Sequence, residues 1–148
     1  MREIAISLMA VAVMAACKVN KKETVQRTAR NEKKDSIACK TLVLDAERMN
    51  AGVTDAYTIM DARMNGPKLE IDVQYGGGCG EATFDLVWNG ALMKSLPPKA
   101  NIVLLMKDDD PCRALVTKTV CFDVSSVYKG ECVLLLKDFR GQLVYKSH

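Results

Sequence analysis

The strict alternation of residues 69–75 constrains the fold of this chain more than any other sequence feature. The apolar side chains fall on the odd-numbered positions, at Leu69, Ile71, Val73 and Tyr75. Successive side chains of a β-strand point to opposite faces, so this pattern is typical of a strand with one buried face. The Asn-Gly-Pro turn signal at residues 65–67 precedes it. Together the two features predict a β-hairpin over residues 56–75.

The same type of signal continues along the rest of the chain. Residues 82–88 alternate again and stop at Asn89-Gly90. Further short apolar runs occupy residues 101–106, 112–122, 131–136 and 143–145. About seven or eight strands at this spacing favour an all-β fold, an antiparallel β-sandwich. A short helix over residues 45–50 is the one helical segment that the pattern allows after the N-terminus.

The N-terminus has the organisation of a secretory signal. Arg2 is followed by an apolar run over residues 4–14, which is shorter than the roughly 20 residues that span a bilayer. Met14-Ala15-Ala16-Cys17 resembles a bacterial lipobox, whose cysteine is acylated and becomes the new N-terminus. The resemblance implies a signal peptide over residues 1–16 and a lipid anchor on Cys17. The alternative is an ordinary signal peptide followed by a chance cysteine.

Charge is distributed unevenly along the 148 residues. The chain has a formal net charge of +3, but residues 18–40 carry eight basic and three acidic residues. The remainder, residues 41–148, has 12 basic and 14 acidic residues. We therefore expect a disordered basic linker over residues 17–40 and a folded domain over residues 41–148. So small a net charge gives no argument for nucleic-acid binding.

The basic residues that follow Cys17 bear on location. In addition to acting as a linker, the segment could be attracted to anionic lipid headgroups. Surface-exported lipoproteins of the Bacteroidota type resemble one another in having acidic residues directly after the cysteine. Lys18, Lys21 and Lys22 differ from that rule, which favours an outer-membrane protein that faces the periplasm.

Five cysteines remain once Cys17 is assigned to the lipid: Cys39, Cys79, Cys112, Cys121 and Cys132. An exported chain meets an oxidising compartment, but sequence alone leaves 15 arrangements of two bridges open. We favour Cys79–Cys112, since both lie where a turn meets a strand. A bridge there would stabilise the fold by roughly 3 kcal/mol. The second choice is Cys121–Cys132 across a hairpin, which would leave Cys39 free; the alternative is that these two are buried thiols.

Three other groups are candidates for chemistry. Residues 76–80 (Gly-Gly-Gly-Cys-Gly) resemble a phosphate loop, but a strand follows where such a loop needs a helix, so we expect a flexible corner. Asp108, Asp109 and Asp110 offer clustered carboxylates for calcium, although a solvated turn is the simpler interpretation. Glu70 and Asp72 share one strand face, about 7 Å apart, a separation used by glycosidases.

The sequence has no internal histidine that could serve imidazole-based catalysis. The sole histidine is His148, the last residue, so a serine or cysteine nucleophile would lack a histidine base. The cysteine spacing also lacks the pattern of a metal site. We expect no cofactor and no resident metal, and we place Trp88 in the core.

One resemblance covers about residues 55–146. The chain is similar there to a group of small lipoproteins from gut Bacteroidota, which have no assigned activity and are taken to be all-β. The segments that carry the resemblance are Val73 to Gly80, Phe84-Asp85-Leu86 with Trp88, Pro97-Pro98, Asp110 to Val116, and Phe122-Asp123-Val124. The resemblance supports an envelope location, an all-β fold and the Cys79–Cys112 pairing.

These observations together predict a cell-envelope lipoprotein that acts as a non-catalytic binding or structural module. Its expected partners are the membrane, through the lipid anchor, and an unidentified protein or glycan. The alternatives are a carboxylate- or calcium-dependent hydrolase of the periplasm, or an accessory or inhibitor subunit that docks a partner along a strand edge.

Overall fold

The structure is a computed structural model that describes residues 38–146. It contains nine strands and one short helix, which are β1 (Lys40–Thr41), β2 (Val43–Leu44), α1 (Ala46–Ala51), β3 (Tyr57–Asn65), β4 (Lys68–Gly77), β5 (Thr83–Met93), β6 (Lys99–Lys107), β7 (Ala114–Asp123), β8 (Glu131–Leu136) and β9 (Leu143–Lys146). Within that range no helix is long and apolar enough to cross a bilayer. The proposed signal peptide, Cys17 and most of the proposed linker lie outside the described residues.

The strands form two sheets. One sheet has the order β1-β7-β4-β3 and the other β2-β5-β6-β8-β9. The all-β sandwich expected from the sequence is confirmed, and so is the β3–β4 hairpin, whose turn leaves Asn65 opposite Lys68. The strictly alternating residues of β4 put their odd-numbered side chains into the core, where Leu69, Ile71 and Val73 are fully buried.

The sheets are mixed, whereas the sequence pattern suggested wholly antiparallel pairing. Parallel neighbours occur at β1–β7, β2–β5 and β6–β8. β6 and β8 run in the same direction because the chain between them passes through β7, which belongs to the other sheet. A crossover of this kind is what parallel neighbours require.

The main core fills the space between the sheets. Apolar side chains from both inner faces interdigitate there, and Trp88 is part of it, as expected. β6 is central in its sheet, and five consecutive residues, 102–106, are buried. The largest fully buried side chains of the core include Phe122, Leu69, Ile71, Leu86, Ile102, Leu104, Leu134 and Tyr145.

A second, smaller core lies on the outer face of the larger sheet. Val87, Val103 and Leu105 are buried there beneath Met49 of α1. The helix begins at Asp45, whose carboxylate accepts the Arg48 N–H at 2.8 Å, and ends at Gly52 with φ 59°. This arrangement explains why Val87 occupies a position that alternation assigned to the polar face.

The first described residues cross from one sheet to the other. β1 pairs with β7, and β2 pairs with β5 three residues later. Cys39, directly before β1, forms a disulfide with Cys121 of β7, and the two Cα atoms are 4.5 Å apart. The predicted boundary at residue 41 is therefore slightly late, because Cys39 and Lys40 already belong to the folded domain.

This disulfide corrects two predictions. The expected Cys121–Cys132 bridge is wrong, and so is the expectation that Cys39 is free. β7 and β8 belong to different sheets, so the chain between them is not a hairpin that brings its two cysteines together. Cys132 has a buried free thiol, and burial raises its pKa.

Candidate functional site

The corner that follows β4 brings together the residues that the sequence singled out. β4 ends at Gly77, and the next turn carries Cys79, which forms a disulfide with Cys112 in front of β7. This pairing confirms the first-choice bridge. Gly78 has φ 116°, and an added Cβ would lie 3.2 Å from that of Ala114. Glycine at this position therefore allows both the turn and the close approach to the next strand.

The glycine-rich loop binds an anion, but that anion is a side chain of the same protein. Asp110 Oδ2 accepts hydrogen bonds from the N–H groups of Cys79 and Gly80, both at 2.7 Å, and its Oδ1 accepts one from Cys112 at 2.8 Å. Successive backbone N–H groups of this kind form a concave anion site. These bonds, first that from Cys112, lower the pKa of Asp110. The flexible corner is better described as a loop closed around Asp110.

The three consecutive aspartates do not converge on one point. Asp108 Oδ1 accepts the N–H of Asp110, and the Asp108 N–H donates to Asp55 at 2.7 Å. Asp109 instead lies 3.2 Å from the Lys107 ammonium. The structure thus supports the solvated turn, stabilised by carboxylate–backbone bonds, over a calcium cage.

One group of ligand-type side chains is compact within the described residues. The Cys79 and Cys112 sulfurs and an Asp110 carboxylate oxygen all lie within 4.8 Å of one another. The two sulfurs are bonded to each other, so neither is a thiolate that could hold a metal.

The acidic pair on β4 is neutralised by a neighbouring strand. Arg63 of β3 donates to Glu70 at 3.0 Å and to Asp72 at 2.6 Å. Burial raises the pKa of Asp72, but hydrogen bonds from Thr119 and Arg63, with the charge of Arg63, lower it overall. A glycosidase needs one carboxyl group with a raised pKa, whereas the pKa of Asp72 is lowered.

A groove of about 500 Å³ runs between α1 and the β5–β6 pair. Its charged residues are largely engaged with one another: Arg48 donates to Asp85 at 2.8 Å, and Asp55 accepts the Asp108 N–H. The pKa of Arg48 is raised by its hydrogen bond to Asp85. The groove is open to solvent, its lining is more apolar than polar, and no serine or cysteine is among its lining residues.

A smaller cavity of about 200 Å³ lies where the two sheets part, between β7 and the start of β5. Its floor is apolar and its mouth carries two lysines. The lining residues include Ala38, Lys40, Ala82, Phe84, Lys118, Val120 and Phe122. Sequence patterning missed this cavity because its walls belong to strands of different sheets.

Two aromatic residues that could have formed a ligand face lie in the core. Trp88 is 8% exposed, and its indole N–H donates to the Ala91 carbonyl at 3.2 Å. Tyr75 is equally buried and packs edge-on against Phe84, with ring centroids 5.5 Å apart. Neither ring is available as a sugar platform.

Comparisons with known proteins extend the description of the fold. No protein-family model matches the chain, and no curated protein does. A crystal structure from Parabacteroides distasonis, provisionally described as toxin-related, superposes with a TM-score of 0.52 at 20% identity. A Bacteroides vulgatus protein of unknown function gives a TM-score of 0.49 at 15% identity, with 76% of this chain covered.

The likeness to the Parabacteroides distasonis structure bears on architecture alone. The first match covers 74% of this chain, and the chain spans 59% and 58% of the two longer proteins. The chain therefore shares its fold with part of a larger Parabacteroides protein.

Proposed function

We propose that this protein is a cell-envelope lipoprotein, anchored by an acylated Cys17, whose sandwich domain acts as a non-catalytic binding module. The observation that carries the proposal is the pair of disulfides, Cys39–Cys121 and Cys79–Cys112. Disulfides form and persist in oxidising compartments outside the cytoplasm. That setting agrees with the export signal and lipobox resemblance at residues 1–17.

The position of Cys39 supports a tethered arrangement. A lipid on Cys17 would leave 21 residues before Cys39, and Cys39 is covalently joined to β7 at Cys121. Any pull transmitted along the linker would enter the domain through this bond and would not peel the two-residue strand β1 from its sheet. A module that works at the end of an anchored linker benefits from such an attachment.

The carboxylates of the domain favour binding over catalysis. Among the described carboxylates, each shifted pKa is lowered: at Asp72, at Asp110 and at Asp123, where Ser125 donates to the carboxylate. General acids need a raised pKa near the working pH. Lowered values are typical of carboxylates that serve the fold through ion pairs and hydrogen bonds.

Membrane fractionation of the Cys17→Ala variant tests the anchor. We expect the wild-type full chain to sediment with membranes and the variant to move to the soluble fraction, because a lipobox without its cysteine is not acylated. Cys132→Ala is the matched control, since it removes a cysteine that forms no disulfide, and it should stay with the membranes. Membrane retention of Cys17→Ala equal to that of wild type would contradict the proposal.

A further inference from the structure

One edge of the smaller sheet is open along most of β7. β4 pairs with β7 from Ala114 to Asp123, whereas β1 pairs with it at Phe122 and Asp123 alone. Cys39, whose Cα atom is 4.5 Å from that of Cys121, also lies beside this edge. Over residues 114–119 no described strand lies on the other side of β7. Such an edge presents a row of backbone N–H and C=O groups that another strand can pair with.

The other long edges of the sandwich are obstructed. β3 has a register irregularity between Ile59 and Asp61, and an irregularity of this kind interrupts edge pairing. On β5 the Phe84 carbonyl accepts the Lys40 ammonium at 2.9 Å, and the Trp88 carbonyl accepts the Asp45 N–H. The edge of β7 differs from these in length and in accessibility.

The 200 Å³ cavity lies at the end of the open edge, where Ala38 and Lys40 also line it. Val120 and Phe122 of β7 and Phe84 of β5 form its apolar floor. Lys118 pairs with Val73, whose side chain is fully buried, so Lys118 belongs to the core-facing set of β7 and its charge stands at the mouth of the cavity. A strand added along residues 114–119 would place alternate side chains on this core-facing side, beside Lys118.

The charges of this edge select among the occupants. Arg113 and Lys118 have no carboxylate within 4.0 Å among the described residues, although seven other ion-pair contacts are present there. No acidic residue occurs from Arg113 to Phe122. An apolar strand would cover an unpaired ammonium, whereas an acidic strand would neutralise it.

The same charges disfavour a second copy of this chain as the occupant. Edge-to-edge pairing of two copies would bring a second Arg113 and a second Lys118 to the same pair of strands. Like charges on neighbouring strands are destabilising.

We propose that residues 114–119 of β7 bind an extended acidic segment of another protein as an added β-strand, with Lys118 and Arg113 selecting its charge. The inference rests on the proposed function as a binding module and names the chemistry of its partner. Main-chain hydrogen bonds along β7 supply the affinity, and the cavity and the two cations supply the specificity.

The test uses the full chain in detergent and a labelled ten-residue probe. The probe alternates threonine and valine around two central glutamates, and a counterpart has two lysines in their place. Adjacent residues of a strand point to opposite faces, so one glutamate is directed to each face. We expect at least tenfold tighter binding of the glutamate probe by fluorescence anisotropy, weakened by salt, and slower hydrogen exchange of amides in residues 114–119.

Charge variants make the test specific. Arg113→Glu with Lys118→Glu should reverse the preference between the probes, and Lys118→Gln should reduce it. Lys137→Glu with Lys129→Glu is the matched control, since both are exposed lysines away from β7, and it should behave as wild type. Lys118→Val should promote self-association, detected by analytical ultracentrifugation.

Two outcomes would overturn the inference: equal binding of the two probes, or binding of the glutamate probe that leaves exchange at residues 114–119 unchanged. Failure of the edge is distinguishable from failure of the anchor. Membrane release of Cys17→Ala together with either outcome would retain the anchor and reject the edge. Probe binding together with membrane retention of Cys17→Ala would retain the edge and reject the anchor.

Discussion

At the scale of single residues, Asp110 shows how a sequence motif can be satisfied from within. Glycine-rich loops expose backbone N–H groups, and an external phosphate is one anion that such groups bind. Here the carboxylate of Asp110 takes that place and bonds to Cys79, Gly80 and Cys112. The loop is thus an element of the fold, and its amides are not available to a ligand.

The lowered pKa of Asp110 leads to a prediction about how the stability of the fold depends on pH. Its pKa is lower in the folded protein than its ordinary value of 3.8, so its contribution to stability is fully present above that value. The contribution is lost as the pH falls through the lower, folded-state pKa. We expect Asp110→Asn to reduce the free energy of unfolding at pH 7, with a smaller difference from wild type below pH 3.8.

Urea unfolding of both proteins at several pH values between 7 and the acid limit measures this difference. Asp109→Asn is the control, because its carboxylate contacts the exposed Lys107 ammonium and surface ion pairs contribute little. A constant difference between Asp110→Asn and wild type across the whole pH range would contradict the argument.

At the scale of secondary-structure elements, α1 covers part of the outer face of the larger sheet and keeps it from water. The helix has six residues and no buried one, yet Met49 covers Val87, Val103 and Leu105. A helix this short is not stable by itself. Its persistence depends on the Asp45 cap and on packing against the sheet.

The cap gives a prediction at this scale. Asp45→Ala removes the acceptor of the Arg48 N–H, and loss of such a cap costs about 1 kcal/mol. We expect a decrease of that order in the free energy of unfolding and faster hydrogen exchange in residues 46–51. Asp109→Ala should leave both unchanged, and unchanged exchange in α1 of Asp45→Ala would show that packing alone holds the helix.

At the scale of the whole molecule, the two disulfides connect parts of the domain that are distant in sequence. Cys39–Cys121 spans 82 residues and Cys79–Cys112 spans 33. Each disulfide has one cysteine at β7. Cys121 lies in the buried half of the strand, and Cys112 lies just before its first residue. The strand with the open edge is therefore the one that is covalently fixed at both ends.

The Cys39–Cys121 bridge gives a prediction about the stability of the whole domain. By chain entropy, closing a loop of this length stabilises a protein by roughly 4 to 5 kcal/mol. We expect the Cys39→Ala, Cys121→Ala double variant to lose a large part of that in non-reducing urea unfolding. Non-reducing peptide mapping of wild type should link Cys39 to Cys121 and leave Cys132 unpaired, and a Cys121–Cys132 peptide would contradict the structure.

Strand positions were the most predictable part of this fold. The hairpin, the alternating strands and the buried β6 could be assigned because a period of two is encoded within a few residues. The Cys79–Cys112 bridge was also accessible, since both cysteines adjoin turns. Alternation along β5 places Val87 on the polar face, because the neighbouring residues in the sequence give no sign that α1 covers it.

The sequence by itself determined which segments are strands, because local alternation decides which face of each segment leaves water. The tertiary structure alone decided which strands are neighbours, that Cys39 meets Cys121, and that Asp110 occupies the glycine-rich loop. It also decided that, among the described residues, no strand pairs with residues 114–119 on the far side of β7. Each of these depends on residues brought together from distant parts of the chain. Their proximity follows from the way the two sheets bury their apolar faces against each other, and no short window of sequence records it.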